Sequence, residues 1–259
     1  MTNYHIRSIN RAFDILLEFT KESRLSNSDL CKRLDLSQST VFRLLSTMVD
    51  REFIEVNRET GKYKLGISCL KLGSNYLSGN DLRQLSLPYL EKLRDKTEET
   101  VHLAVFNEIE VVYIEKLPGL YPIGIMASRV GSVCPAYCTG VGKTILAFLP
   151  KQEISKYFQH IKLEKRTDNT ITEISKLISE LEEIRNKGYA IDKEENEQNV
   201  SCIAAPIFDH KGIVASISIS GPINRIMPKG LLNLSIVKDV VKTASEVSKH
   251  MGGQYSLTD

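Results

Sequence analysis

The stretch Ser26–Leu65 reads SNSDLCKRLDLSQSTVFRLLSTMVDREFIEVNRETGKYKL, and its hydrophobic period changes once along the way. Ser26-Asn27-Ser28-Asp29 has the form of a capping box, with Asp where Glu is usual. It opens a short helix that turns Leu30 and Leu34 inward. Asp35-Leu36 leaves room only for a tight turn before a second cap at Ser37. The next helix buries Val41, Leu44, Leu45 and Met48, the spacing of one apolar helical face. Short helix, tight turn, longer helix is the helix-turn-helix order. After Arg51 the period becomes two. Ile54 and Val56 flank Glu55, and Tyr63 and Leu65 flank Lys64. Asn57–Lys62 lies between them as a turn, with Gly61 for the positive-φ position. A hairpin in that place is a wing.

Working outward, Ser8 is read as the cap of a helix with Ile9, Ala12, Phe13, Leu16 and Leu17 on its buried face. Downstream, Gly66–Leu77 is apolar at Ile67, Leu70, Leu72 and Leu77 and reads as a linker helix. The expected organisation is a winged helix-turn-helix over 1–65, a linker over 66–80 and a second domain over 81–259. In that second domain Leu82, Leu85, Leu90 and Leu93 form a helical stripe, with Pro88 as a kink or first-turn residue. Thr100–Phe106 and Ile109–Leu117 form a hairpin about Asn107-Glu108, and Tyr121–Ala127 is a third strand. Thr139–Leu149 and Thr172–Lys187 are helices, the latter stopped by Gly188. Tyr189–Asp192, Val200–Phe208 and Ile213–Ser220 are strands, and Lys229–Lys249 is a last helix. Hairpins with segregated helices predict an α+β domain around an antiparallel sheet.

The chain has 259 residues, 42% hydrophobic and 25% charged, the balance of a globular protein. Its net charge is only +2, which gives no bulk electrostatic case for nucleic acid. Any such case rests on where the charges sit. Met1–Ile15 contains no long apolar core of a signal peptide, and no run is long enough to span a bilayer. The 5 cysteines are an odd number without repeated spacing, as in a protein that keeps its thiols reduced. A cytoplasmic protein with no membrane partner is expected.

A recognition helix presents its N-terminal residues to base edges in the major groove. Here those residues are Gln38, Ser39, Thr40 and Arg43. Gln pairs with adenine, Arg with guanine, and Ser or Thr with either bases or phosphates. Arg58, Lys62 and Lys64 of the wing are placed for backbone phosphates, with Arg7 and Arg11 as possible additions. The bland alternative is three ordinary helices with a solvated face. The hairpin directly behind the third helix favours DNA.

From these residues on, the chain resembles the IclR family of regulators. The opening SINRAFDIL at Ser8–Leu16 and LSQSTVFRLLSTMVDREF at Leu36–Phe53 carry the first half of the resemblance. CPAYCTGVGKTIL at Cys134–Leu146 and GYAIDKEENEQNVSCIAAPIFDHKGIVASISISGP at Gly188–Pro222 carry the second. It covers most of the chain, to about Ile226. It implies a GAF-like second domain with an effector pocket, no enzymatic activity and no cofactor. It also implies a homodimer or dimer of dimers on palindromic double-stranded operator DNA, acting mostly as a repressor of a catabolic operon. The positions matching the family's effector contacts are Ile123, Met126, Gly140, Val141, Asp192, Val200, Cys202, Ser218 and Ser220.

The chemistry of those residues suits a small carboxylate or oxo-acid. Gly140 and Val141 offer free N–H groups at a helix start. Ser218 and Ser220 alternate with Ile217 and Ile219, so both hydroxyls point to one face. Asp192 can accept from a ligand hydroxyl, Cys202 adds a polarizable wall, and Ile123, Met126 and Val200 are apolar walls. The ligand is expected to be held by N–H groups and hydroxyls rather than by an Arg. Taken without the resemblance, Ser218 and Ser220 suit an ordinary edge strand better than a ligand site. Val141 stands where the family commonly has Ala, and Asn199 where it usually has Gly.

Other signals are set aside. Gly140–Thr144 lacks the first glycine of a P-loop, since Tyr137 stands there, and Lys143 is given a structural contact. Cys134, Cys138 and Cys202 lack the His or Cys spacing of a zinc site. No nucleophile–base pair can be assembled, His102 is read as a satisfied residue, and the acidic run to Glu197 is read as solvated apart from Asp192. Two other readings are a small-molecule hydrolase or transferase with a fused helical domain, and a DNA-binding architectural protein without a ligand.

Overall fold

The computed structural model describes residues 5–121, 126 and 128–253. The chain forms two compact units, the first ending at Gly79 and the second beginning at Asn80.

In the first unit α1 (Arg7–Lys21), α2 (Asn27–Leu34) and α3 (Gln38–Asp50) precede the hairpin of β1 (Ile54–Val56) and β2 (Tyr63–Leu65). Helix α4 (Ile67–Ser78) ends the unit. The capping box is complete: Ser26 Oγ accepts from Asp29 N–H, and Asp29 Oδ2 accepts from Ser26 N–H at 2.9 Å. Asp35 makes the turn with φ +51°, a left-handed conformation that Asp tolerates better than most residues. Val56 pairs with Tyr63, and Leu25 bridges to Tyr63 on its other side.

Helix α1 departs from expectation. Ile6, not Ser8, occupies its N-cap, and no side chain caps it. Ile9, Phe13 and Leu17 are exposed, while Ile15 and Phe19 enter the core with Ala12 and Leu16 beside them. The helix is apolar over a wider arc than one face. Its core stripe runs through Ile15 and Phe19, and Glu18 is tolerated there because Lys21 and Arg33 pair with it.

The second unit opens with α5 (Asp81–Thr97), which carries Pro88 inside it rather than in its first turn. Strands β3 (Thr100–Asn107), β4 (Glu110–Leu117) and β5 (Val133–Pro135) follow. After a 3-10 turn at Ala136–Cys138 come α6 (Gly140–Phe148), α7 (Lys151–His160) and α8 (Ile174–Lys187). Then come β6 (Ala190–Lys193), β7 (Val200–Asp209), β8 (Gly212–Pro222), the short α9 (Ile223–Ile226) and α10 (Leu234–His250). The six strands form one antiparallel sheet in the order β5-β4-β3-β8-β7-β6. Helix α6 packs against β7 and β8 with α8 beside it, and α10 packs against β7 with α5 beside it.

Several expectations change here. Most of the strand expected over Tyr121–Ala127 lies outside the described residues. The third strand of the β3–β4 ladder is instead β5, too short to show an alternating pattern. The last helix starts at Leu234 because Asn233 caps it, and Pro228–Gly230 is a separate 3-10 turn with Lys229 at φ +55°. Strand β8 is interior, bonded to both β3 and β7, so Ser218 and Ser220 are not on an edge.

Candidate DNA-reading face and effector pocket

Helix α3 is fixed by its core side, Val41, Leu45 and Met48, which recur at helical spacing and are buried. Its opposite surface is therefore determined. Ser37 Oγ caps the helix, accepting from Thr40 N–H and lying 2.9 Å from Thr40 Oγ1. Thr40 is half-buried and its hydroxyl belongs to the cap, so it is less available than expected. Gln38, Ser39 and Arg43 are exposed. Gln38, Ser39 and Phe42 line a depression shared with Ser26, Asn27, Ser28 and Gly61 of the wing. Arg43, Thr40 and Thr47 line a different one with Arg11 of α1. Phe42 is 58% exposed, an aromatic side chain not among the residues expected to meet bases. Its spacing from Gln38 was the available signal.

The wing tip is an Asx turn: Asn57 Oδ1 accepts from Glu59 N–H and Thr60 N–H, each at 2.9 Å. Arg58, Lys62 and Lys64 are all exposed, and Lys64 Nζ lies 2.8 Å from Glu55 Oε2 across the hairpin.

In the second unit, strand register assembles the pocket. Asp192, Cys202 and Ser220 lie in one cross-strand row, and Ala204, Ser218 and His102 in the next. Residues two apart on a strand share a face, so both rows meet the start of α6. The cavity is about 320 Å³. Met126, Gly140, Val141, Asp192, Val200, Cys202, Ser218 and Ser220 all line it, while Ile123 lies outside the described residues.

Thr139 caps α6, its Oγ1 accepting from Gly142 N–H at 3.2 Å and its carbonyl from Lys143 N–H at 2.9 Å. The N–H groups of Gly140 and Val141, ahead of those bonds, find no acceptor among the described residues. A helix start with free N–H groups attracts anions.

The structure adds lining residues that the sequence did not yield. His102 is buried, with Nε2 2.9 Å from Ser128 Oγ and Nδ1 3.3 Å from Ser220 Oγ. Burial, reinforced by the Lys116 ammonium, holds its pKa down to about 3, so the imidazole is neutral. Tyr113, Cys134 and Arg166 also line the cavity. Arg166 is exposed, and its Nε donates to the Asn196 carbonyl at 3.4 Å. Only strand pairing and the loop after α7 bring these groups in, and a single sequence does not display either.

Asp192 is 3% exposed, and its Oδ1 accepts from Glu195 N–H at 2.7 Å. Burial, then the Glu195 carboxylate, raise its pKa to about 7. Burial pushes the Cys138 thiol up to about 12 and the Cys202 thiol higher still. The acidic run is not uniformly solvated: Glu195 is buried, because Lys143 from α6 reaches it at 2.6 Å. Lys143 also meets Glu180 Oε1 at 3.0 Å and the Ile191 carbonyl at 2.8 Å. Burial disfavours the Lys143 ammonium, but Glu195 and Glu180 outweigh that and raise its pKa. Its contact is structural, not phosphate-binding.

A winged helix-turn-helix followed along the chain by a separate cavity-bearing α+β unit defines a class of DNA-binding regulator. A profile described as "IclR helix-turn-helix domain" matches residues 8–58, and "Bacterial transcriptional regulator IclR C-terminal" matches residues 74–249. The chain belongs to the IclR family of bacterial transcriptional regulators. It is 33% identical over 248 residues to the HTH-type transcriptional regulator KdgR of Escherichia coli K12, covering 95% of this chain and 93% of that protein. The crystal structure of Thermotoga maritima IclR matches with a TM-score of 0.72 and 33% identity, covering 96% of this chain and 100% of that one. An IclR homologue from Microbacterium hydrocarbonoxydans, solved with 4-hydroxybenzoate, shares the fold at a TM-score of 0.78 and 23% identity, covering 94% and 98%. No described helix is long and apolar enough to cross a membrane.

Proposed function

We propose that the second unit's cavity binds a small carboxylate, of the oxo-acid class, and that this binding sets how tightly the first unit holds its operator. The observation that carries the reading is the pocket's lining. Free N–H groups at the start of α6 and two buried hydroxyls, Ser218 and Ser220, line one partly open cavity. Anions are held this way without a dedicated cation at the base of the site. Arg166 at the rim modifies the expectation of an Arg-free site by offering a second, outer contact. The Microbacterium homologue's ligand is itself a small carboxylate.

On the DNA side, Gln38, Ser39 and Arg43 read bases. Phe42 supplies an apolar contact of the kind a thymine methyl takes. Arg58, Lys62 and Lys64 meet phosphates, Lys64 less strongly because Glu55 already pairs with it. Thr40 supports the cap and reaches the backbone at most. The exposed stripe of Ile9, Phe13 and Leu17 favours self-association, and a two-fold dimer implies a palindromic operator. Helix α4 is the linker that transmits the effector's bias, which requires the effector to bind the two states unequally. Repression is the output, since a protein seated on a promoter excludes polymerase.

The enzyme reading has no support. Ser220 and His102 form the nearest approach to a dyad, but the ring's other nitrogen faces Ser128 rather than a carboxylate. A histidine held near pKa 3 is a poor base at neutral pH.

Calorimetry against a panel of short oxo-acids tests the effector, and a gel shift on the upstream DNA with and without the bound acid tests the coupling. Ser218→Ala with Ser220→Ala is expected to weaken the acid at least tenfold. Unchanged binding in that double variant removes the assignment.

A further inference from the structure

Gly140, whose N–H heads α6, backs directly onto β6 and β7. A methyl placed on it would lie 3.5 Å from Cys202 Cβ and 3.8 Å from Asp192 Cβ. A carboxylate resting on the Gly140 and Val141 N–H groups therefore shares one small cavity with the Asp192 carboxyl. Two carboxylates confined together away from water do not both stay ionised.

We propose that Asp192 takes up a proton from solvent as the effector's carboxylate enters, and that the protonated carboxyl then donates a hydrogen bond to the effector, selecting 2-oxo acids over the matching 2-hydroxy acids. This rests on the carboxylate reading above and assigns Asp192 a donor role in place of the acceptor role expected from sequence.

The groups facing Asp192 favour protonation on balance, although the Glu195 and Asn196 N–H groups and the Lys143 ammonium pull toward the carboxylate. Lys143 on α6 is shared among Glu195, Glu180 and the Ile191 carbonyl. On its own loop Glu195 and Glu197 are further acids. Cys202 on β7, Cys138 in the 3-10 turn and Tyr113 on β4 are kept neutral by burial. His102 on β3 is neutral as well. Arg166 lies at the exposed rim. The carboxyl of free Asp192 is already half-protonated near pH 7 through burial and the neighbouring Glu195, so a further negative charge nearby completes the change. A 2-oxo oxygen only accepts, which matches an O–H donor. A 2-hydroxyl can accept the same bond, but its own proton then needs a further acceptor, and Asp192 Oδ1 is already taken by the Glu195 N–H at 2.7 Å.

The test is calorimetry of the full chain with short 2-oxo acids and their 2-hydroxy counterparts, in two buffers of unlike ionisation heat, from about pH 6 to 9. Above neutrality, binding is expected to take up close to one proton, with affinity falling about tenfold per pH unit. Below neutrality both effects fade, because free Asp192 already carries the proton. Asp192→Asn, whose amide donates but does not titrate, is expected to bind 2-oxo acids without proton uptake or pH dependence. A thermal melt checks that this variant folds. Tight binding without proton uptake overturns the proposal, as does a preference for the hydroxy acids, or loss of binding in a folded Asp192→Asn. If no acid binds the folded wild type, the carboxylate reading itself fails. If acids bind and the Ser218/Ser220 double variant weakens them but no proton moves, only the role of Asp192 fails.

Discussion

Lys143 Nζ lies 2.6 Å from Glu195 Oε1, and both side chains are shut away from solvent. The pair ties α6 to the loop after β6, and Glu195 N–H in turn holds Asp192. Taking two charges out of water is offset only when they meet, so removing one partner leaves the other stranded. Glu195 Oε2 lacks a partner, so without Lys143 the carboxylate keeps only the long Lys193 N–H contact to Oε1 at 3.5 Å. Lys143→Met is expected to destabilise the second unit by about 3–5 kcal/mol and to weaken the effector as well. Urea unfolding with calorimetry checks both. Lys143→Met with Glu195→Leu is expected to recover most of the stability, because neither member of the pair is then left as a buried charge without its partner.

That pair also shows what was legible in the sequence and what was not. Giving Lys143 a structural contact needed only the missing first glycine of a P-loop. Finding Glu195 as its partner needed the fold, because 52 residues separate them. Caps and turns are local, so the box at Ser26 and the cap at Ser37 could be read directly. Ser218 and Ser220 could be placed on one strand face by alternation alone. Their row partners His102 and Asp192 depend on cross-strand register, which alternation does not set. On α1 the same periodicity admitted two stripes, and only the shared core with Leu30 and Val41 chose Ile15 and Phe19 over Phe13 and Leu17.

Two glycines two residues apart on α6 are expected to behave oppositely. A Cβ on Gly142 would sit 2.3 Å from the Ala136 carbonyl oxygen and 2.4 Å from Ala136 Cα, both backbone. Gly142→Ala must therefore displace the 3-10 turn, and a loss above about 3 kcal/mol is expected. A Cβ on Gly140 meets Ala204 Cβ at 3.3 Å, a contact relieved by a shift of a few tenths of an ångström. Gly140→Ala is expected to fold with a melting temperature near wild type yet lose effector affinity, since the methyl enters the cavity floor. Thermal melts and calorimetry on the two variants separate the cases.

The exposed stripe on α1 gives a third expectation. Phe13 is 59% exposed and Leu17 59%, neither in the core of its own unit. Phe13→Glu is expected to leave the unit folded while shifting the chain toward monomer in sedimentation velocity. It is also expected to weaken operator binding through lost bivalency rather than lost base contacts. An unchanged sedimentation coefficient would remove this stripe as a self-association surface.

The proposed DNA face separates into contacts expected to carry sequence and contacts expected to carry charge, and salt distinguishes them. Each phosphate neutralised by a cation releases counterions, so the logarithm of affinity falls with the logarithm of salt by about 0.9 per contact. Lys62 is exposed at the wing tip. Lys62→Ala is expected to weaken all DNA alike and flatten the salt slope by about 1. Lys64→Ala should flatten it less, because Glu55 at 2.8 Å already offsets part of that charge. Gln38→Ala removes no charge. Its slope should match wild type, while preference for the operator over scrambled DNA falls by about 1–3 kcal/mol. Phe42→Ala should act in the same direction, with the loss confined to operators that place a thymine under that helix position. Gel shifts over a salt series with matched specific and scrambled duplexes read all four variants. A flattened slope in Gln38→Ala would move that side chain from the bases to the backbone.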